Sequence, residues 1–128
     1  MRDQHSHIGV VVPIVPAVQA ATIEGDVVDL LGFNAATVII PSGAIASSGN
    51  FTAKLQESDT TTGGDFTDVA AGDLIGTFPE ALSASTVIKI GYKGTKRYIR
   101  PVLTKNSGTS IAAGAVVVKG HPVAAPVA

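Results

Sequence analysis

The chain is predicted to fold as a single all-β domain: a β-sandwich or jelly roll of about seven to eight antiparallel strands with extended N- and C-terminal arms. Three observations predict it. The apolar content is mainly Ala, Val and Ile, with no Trp and a single Met at position 1, so the core must be built from small and β-branched side chains, which suit a pleated sheet better than a helix. Short β-prone runs recur with turn residues between them, and no 3.6-residue period is sustained. At 128 residues the chain is the size of one ordinary domain, and neither a linker nor an internal repeat divides it.

Residues 1–20 read as an extended N-terminal arm. Val10, Val11, Val12, Pro13, Ile14, Val15 and Pro16 suit β or polyproline geometry, because each proline drives its predecessor out of the helical region. The sandwich domain is expected over 21–120, and the tail 121–128 has the arm's apolar, proline-bearing character. Two readings of these ends stay open: packing on the domain's own sheets, or docking on neighbouring subunits as added strands.

Within the domain, Ala21 to Leu31 reads as one strand, followed by a turn through Gly32 to Asn34. Ala36 to Ile40 is a buried strand ended by Pro41-Ser42-Gly43. Phe51, Ala53 and Leu55 alternate with Thr52, Lys54 and Gln56, the period-2 pattern of a strand with one wet face. Ser58 to Asp65 is a polar loop leading to a short strand over Phe66 to Val69. Ala70 to Ile75 is too short and too glycine-weakened for more than one helical turn. Thr86 to Tyr92 and Lys96 to Lys105 read as a hairpin about Gly94-Thr95, with glycine at the first central position of a type II′ turn. Pro101 lacks a ladder donor, which calls for an edge strand or a bulge. Ala113 to Lys119 is the last strand.

Charge is segregated along the chain. Residues 1–80 carry ten carboxylates against Arg2 and Lys54, a balance of −8. Residues 81–128 carry seven cations and no carboxylate, a balance of +7. The halves could neutralise each other within one subunit, or an acidic surface could meet a basic one on a neighbour. The cations Lys89, Lys93, Lys96, Arg97, Arg100 and Lys105, interleaved with Tyr92 and Tyr98, form the one segment where phosphate contacts and base stacking are conceivable. A pI of about 6.2 and the absence of any recognition-module signature argue against a nucleic-acid partner.

No motif for chemistry is present. His5 and His7 share a strand face at their spacing, but a metal would need His121 from the opposite end and a further ligand. Glu57, Asp59, Asp65, Asp68 and Asp73 cluster on a glycine-bearing loop without the spacing of a calcium loop. There is no cysteine, no Gly-x-Ser-x-Gly, and neither a Walker nor a dinucleotide fingerprint. No cofactor, metal or catalytic residue is expected, and the chain is not expected to be an enzyme. The apolar stretch Ile8 to Ala21, broken by Pro13 and Pro16, is too short to span a membrane and makes a poor signal peptide. The mean hydropathy of +0.37 with only 15% charged residues suggests that some apolar surface is covered by neighbours.

A resemblance adds to this reading. Lys54-Leu-Gln-Glu-Ser-Asp59, Phe66-Thr-Asp-Val69, Asp73-Leu-Ile-Gly76, Ile90-Gly-Tyr-Lys-Gly-Thr-Lys-Arg-Tyr-Ile-Arg100 and Gly114-Ala-Val-Val-Val-Lys-Gly-His-Pro122 together resemble small virion structural proteins of tailed bacteriophages, over roughly residues 35–122. The resemblance is sharpest in the Gly-Tyr-x-Gly-x-Lys-Arg-Tyr-Ile-Arg run and carries no active-site residues. It implies a capsid cement or decoration protein at the capsid surface, made in the host cytoplasm, with the major capsid protein and a second or third copy of itself as partners. A head-to-tail connector, a tail terminator or tail-tube subunit, and a receptor- or glycan-binding module are the alternatives. Val10, Val11, Val12, Ile14, Val15, Lys93, Lys96, Arg97, Tyr98 and Arg100 are the expected interface residues.

Overall fold

A computed structural model describes residues 3–124; Arg2 and the tail beyond residue 124 lie outside the described residues. Two antiparallel sheets face each other. In the first the order is β1 (Gly9–Gln19), β10 (Ser110–Pro122), β4 (Phe33–Ala46), β8 (Val87–Tyr92) and β7 (Leu74–Ile75). In the second, β9 (Tyr98–Ser107) lies between β5 (Asn50–Ser58) on one side and β2 (Ile23–Glu24) and β3 (Val28–Asp29) on the other, and β6 (Thr67–Asp68) closes the far edge. The all-β sandwich is thus the observed class. Among the described residues its ten strands exceed the expected seven to eight because β2, β3, β6 and β7 are only two residues long. Pieces of that length leave almost no periodicity in a sequence.

The core lies between the sheets. Val38, Ile40, Ile111, Ala115 and Val117 from the first sheet meet Phe51, Leu55, Ile99 and Leu103 from the second, each at most 2% exposed. β5 follows its sequence pattern, with Phe51, Ala53 and Leu55 buried and Thr52, Lys54 and Gln56 on the outer face. The predicted turn around Ala70 is a single 3-10 turn, Ala71–Asp73.

The N-terminal arm is a strand of this sandwich. β1 pairs with β10 from Gly9↔Lys119 to Gln19↔Ile111, with register shifts between Val11 and Ile14 and between Ile14 and Ala17. Each shift inserts one residue opposite a single residue of β10, and Pro13 and Pro16 fall at these bulges, where a missing N–H is tolerated. The Gln19 amide reaches the carbonyls of Ala113 at 3.2 Å and Val15 at 3.4 Å, which helps satisfy the backbone that the second bulge frees. The bulges shift side-chain parity, so Val11 and Ile14 both point to the core despite their odd spacing. β10 is likewise longer than expected, running to Pro122.

Three other expectations are corrected. β8 and β9 do not form a hairpin: β8 pairs with β4 in the first sheet and β9 with β5 in the second. The link between them is pinned at both ends, by Lys93 N–H to Asp73 C=O and by Leu30 N–H to Arg97 C=O, both 2.8 Å. Gly94 is required for a reason other than a turn, since a Cβ there would lie 2.6 Å from Cζ of Tyr92. β4 does not stop at Pro41, which pairs with Val87 at the start of β8 and precedes the register shift against β10 between Ser42 and Ile45. Finally, Pro101 is in an interior strand. It pairs with Leu55 on one side, and on the other its carbonyl accepts from Gly25 N–H at 2.7 Å. Its missing donor faces that same side, which is why the partner there is split into β2 and β3 where one strand over Ala21–Leu31 was expected.

Candidate assembly surface

The two outer faces differ in chemistry. On the second sheet, cations and carboxylates pair within the chain. Lys54 meets Asp68 at 3.2 Å, and Arg100 meets Glu24 at 2.7 Å. At one end of the sandwich Lys96 meets Asp59 and Arg97 meets Asp29, each at 2.9 Å. Three of these four pairs join the basic C-terminal half to the acidic N-terminal half. Charge segregation along the sequence therefore becomes charge neutralisation in space.

Arg100 is the most embedded cation of the four, its side chain 12% exposed. Its guanidinium stacks 4.4 Å above the Phe66 ring, donates to Gln56 Oε1 at 2.8 Å and reaches Gly63 C=O at 3.4 Å. Arg100→Glu would lose these contacts and place a carboxylate beside Glu24. We expect a loss of about 2 kcal/mol in urea unfolding, below the range for a fully buried pair because Glu24 is open to water. Unchanged stability would mean that the site is solvated.

The bidentate Arg97 contact, from Nε and Nη2 to the two Asp29 oxygens at 2.9 Å each, holds the Asp29 carboxyl below its usual range, with help from the Leu31 N–H. A lowered folded-state value stabilises the native state above the unfolded pKa of about 4 and is lost as pH falls through the folded value. Asp29→Asn should therefore be less stable than the parent at pH 7, and the gap in unfolding midpoints should close below about pH 4. A gap independent of pH would assign the effect to something other than this charge.

The run Gly91 to Arg100 is the crossing between sheets. Gly91 leaves room for the Ile75 side chain, whose Cβ would be 3.0 Å from any Cβ added there. Tyr92 donates to Glu57 Oε1 at 2.7 Å and accepts from Lys96 N–H at 3.1 Å; burial, then Glu57, pushes its hydroxyl pKa up. Gly94 packs on that ring, Lys96 and Arg97 bind the acidic half, Arg97 also stacks 5.0 Å from the Tyr98 ring, and Ile99 is fully buried. The run is a device for joining two sheets.

The outer face of the first sheet is apolar. From the strand register, Val10 and Val118 share a row with Thr37 and Gly91, and Val116 and Ile39 share one with Lys89. Pro41 pairs with Val87, and Val18 with Ala112. Val10, Val15, Val18, Ile75 and Val87 are 58–69% exposed. Lys89 is the single charged residue that the register places on this face among the described residues. Between the β1 valines and Pro41 runs an open trough of about 400 Å³, floored by Gly43, Ala112 and Gly114.

Of the sequence-derived interface residues, Val10, Val12 and Val15 lie exposed on this surface, whereas Ile14 is 1% exposed and Val11 packs against the core. Lys96, Arg97 and Arg100 are engaged within the chain, Tyr98 is half-buried and Lys93 is exposed. Val18, Ile39, Ile75 and Val87 belong to the face and were missed; their outward parity follows from pairing partners far away in sequence. His7 and His121 do line one depression near β10, with the His7 ring 2.8 Å from Asp3 C=O. Among the described residues no three His, Asp or Glu side chains converge as a metal site. Asp59, Asp65 and Asp68 bind Lys96, Thr60 and Lys54 in turn, so the acidic loop does not converge either. Among the described residues no helix is long and apolar enough to cross a membrane.

No family model and no curated protein matches the chain. Among solved structures it is similar to a chain of infectious bursal disease virus, Gx strain, at 12% identity and TM-score 0.43, covering 89% of this chain and 32% of that one, so that this chain spans about a third of its length. It is also similar to PirA at 15% identity and TM-score 0.41, covering 94% of this chain and 97% of that one.

Proposed function

We propose that the chain is a non-enzymatic virion structural protein, and more specifically a capsid cement or decoration protein that binds the major capsid protein and stabilises the mature phage head. The observation that carries this reading is the apolar outer face of the first sheet. A sheet face with exposed valines across its width and, among the described residues, a single lysine is built to be covered by another subunit, as in a protein that works inside an assembly, because leaving it in water forfeits roughly 25 cal/mol for each Å². The phage resemblance supports the same role, since its sharpest run holds the fold together and presents no reactive group.

Sheet edges offer little for association. β1 carries two prolines and two bulges, β2, β3, β6 and β7 are two residues long, and the stretch of β8 beyond β7, Val87–Ile90, is only four residues, which are usual ways in which edges are protected. Binding is therefore through faces and ends. Modest contacts repeated over a symmetric shell sum to strong avidity, and a protein that binds the expanded shell stabilises that state alone.

The test is co-sedimentation of the full chain with phage shells lacking it, followed by heat challenge. Saturable binding with a raised shell disruption temperature is expected. Absence of binding, with rings forming in solution, would move the assignment to a connector or tail subunit.

A further inference from the structure

We infer that the outer face of the first sheet is a self-association face, covered by the same face of a second copy of this chain in a twofold pair. Size is the first argument. Five strands about 4.8 Å apart and averaging about 30 Å long make a face of at least roughly 600 Å². Two such faces bury roughly 1,200 Å² together, the lower limit of stable specific interfaces. Shape is the second. An isologous contact needs one patch that carries both a projection and its recess. Here the two lie side by side: β1 projects Val15 and Val18, each 69% exposed, and the neighbouring trough is floored by Gly43, Ala112 and Gly114. Pro16 already closes over Gly114, 2.9 Å from where its Cβ would be, so the open part of the recess lies over Gly43 and Ala112, where a valine from the opposite copy would seat.

Charge is the third argument. A partner with a charged surface would be selected by charge complementarity, and among the described residues this face offers only Lys89. That lysine is on β8, whose pairing with the two-residue β7, Leu74↔Tyr92 and Ile75↔Gly91, stops short of it. Lys89 is thus at the rim, where its ammonium stays in water while the centre is dry, the arrangement of a protein interface. The pairing also suits a bridging role, because it presents two copies of the end bearing Leu31 and Val123, 68% and 75% exposed.

The inference concerns the isolated chain and stands or falls separately from the capsid reading. Analytical ultracentrifugation of the full chain should show a dimer, and the double substitution Val15→Glu with Val18→Glu should weaken it by at least about 100-fold. Both positions are exposed, so the circular dichroism and unfolding midpoint of the isolated subunit should be nearly unchanged. A second measurement does not depend on that variant. The chain has no cysteine, so Val18→Cys chains mixed with Ala112→Cys chains should cross-link to each other with a short thiol reagent, and Lys54→Cys chains, modified on the opposite sheet, should not.

Dimerisation without shell binding would keep this inference and remove the capsid assignment. A chain that stays monomeric at every soluble concentration overturns it, as does an undiminished dimer of the double variant or equal cross-linking through Lys54→Cys. A monomer that binds shells and loses that binding with Val15→Glu and Val18→Glu also overturns it, assigning the face to the shell.

Discussion

Removal of residues 1–20 is expected to abolish folding of the subunit. β1 supplies the pairing partner of β10 along nearly the whole of its own length, from Gly9 to Gln19, and inserts Ile14 into the core at 1% exposure. Losing Ile14 beyond Cβ alone costs about 2–5 kcal/mol. Losing the strand also removes the Pro13 carbonyl that holds Asp26 N–H at 2.8 Å and bares the long edge of β10. That edge runs from Ser110 with no proline before Pro122, a template for aggregation once uncovered. Against a typical total of about 5–15 kcal/mol, the truncated chain should be insoluble or lack a cooperative melt. Ile14→Ala in the full chain is the milder companion, expected to lose about 3 kcal/mol while remaining folded. A truncated chain with β-type circular dichroism and a cooperative transition would show that β1 is an accessory arm.

This outcome marks where the sequence was legible. β5 was read residue by residue because Phe51, Ala53 and Leu55 obey a strict period of two, which needs no knowledge of the partner strand. β1 was legible as extended but not as a member of the sheet, because two bulges shift its parity and make Val11 and Ile14 inward neighbours. The same parity explains why the run from Val10 to Val15 reads as one uniform patch when it serves two faces. Gly94 marks a close approach of the backbone to the Tyr92 ring, but a glycine read as a turn signal says where a chain changes direction and not which sheet it enters next. The split of β2 from β3 is set by Pro101, about 75 residues further along, and no local window contains both. The ion pairs were equally hidden. Segregated charge in the sequence allowed pairing within or between subunits, and only the crossing of β9 past β2, β3 and β5 brings Asp29, Glu24 and Asp59 to Arg97, Arg100 and Lys96. The apolar face was legible only as composition, an excess of aliphatic residues over what one small core requires.

Gly108→Val should be the most damaging single substitution at an exposed position. Gly108 has φ of +76°, a region that costs an L-residue roughly 1–2 kcal/mol and a β-branched one more. It also lies against the turn that carries β4 into β5. A Cβ at Gly108 would collide with the Ser48 carbonyl and come within 2.6 Å of the Gly49 Cα. Gly49 is itself closed off, since a Cβ there would collide with the Ser110 carbonyl. Two sheet-crossing connections therefore touch backbone to backbone, and neither can yield without pulling Asn50↔Ser107 or Ser110↔Ala46 out of register. Overpacking against main chain adds about 1–3 kcal/mol, so a total near 4 kcal/mol is expected in urea unfolding, enough to leave a marginal domain largely unfolded. The neighbouring turn gives an internal control with the opposite sign. Ser47 and Ser48 have φ of 49° and 58°, and Gly49 N–H closes on Ala46 C=O at 3.1 Å, the geometry of a type I′ turn, which prefers glycine or asparagine at both centres. Ser48→Gly relieves a left-handed residue without adding an atom and should raise stability by up to about 1 kcal/mol. If Gly108→Val were tolerated and Ser48→Gly destabilising, the two connections would not be in contact, and the crossing that joins the sheets at this end would have to be redrawn.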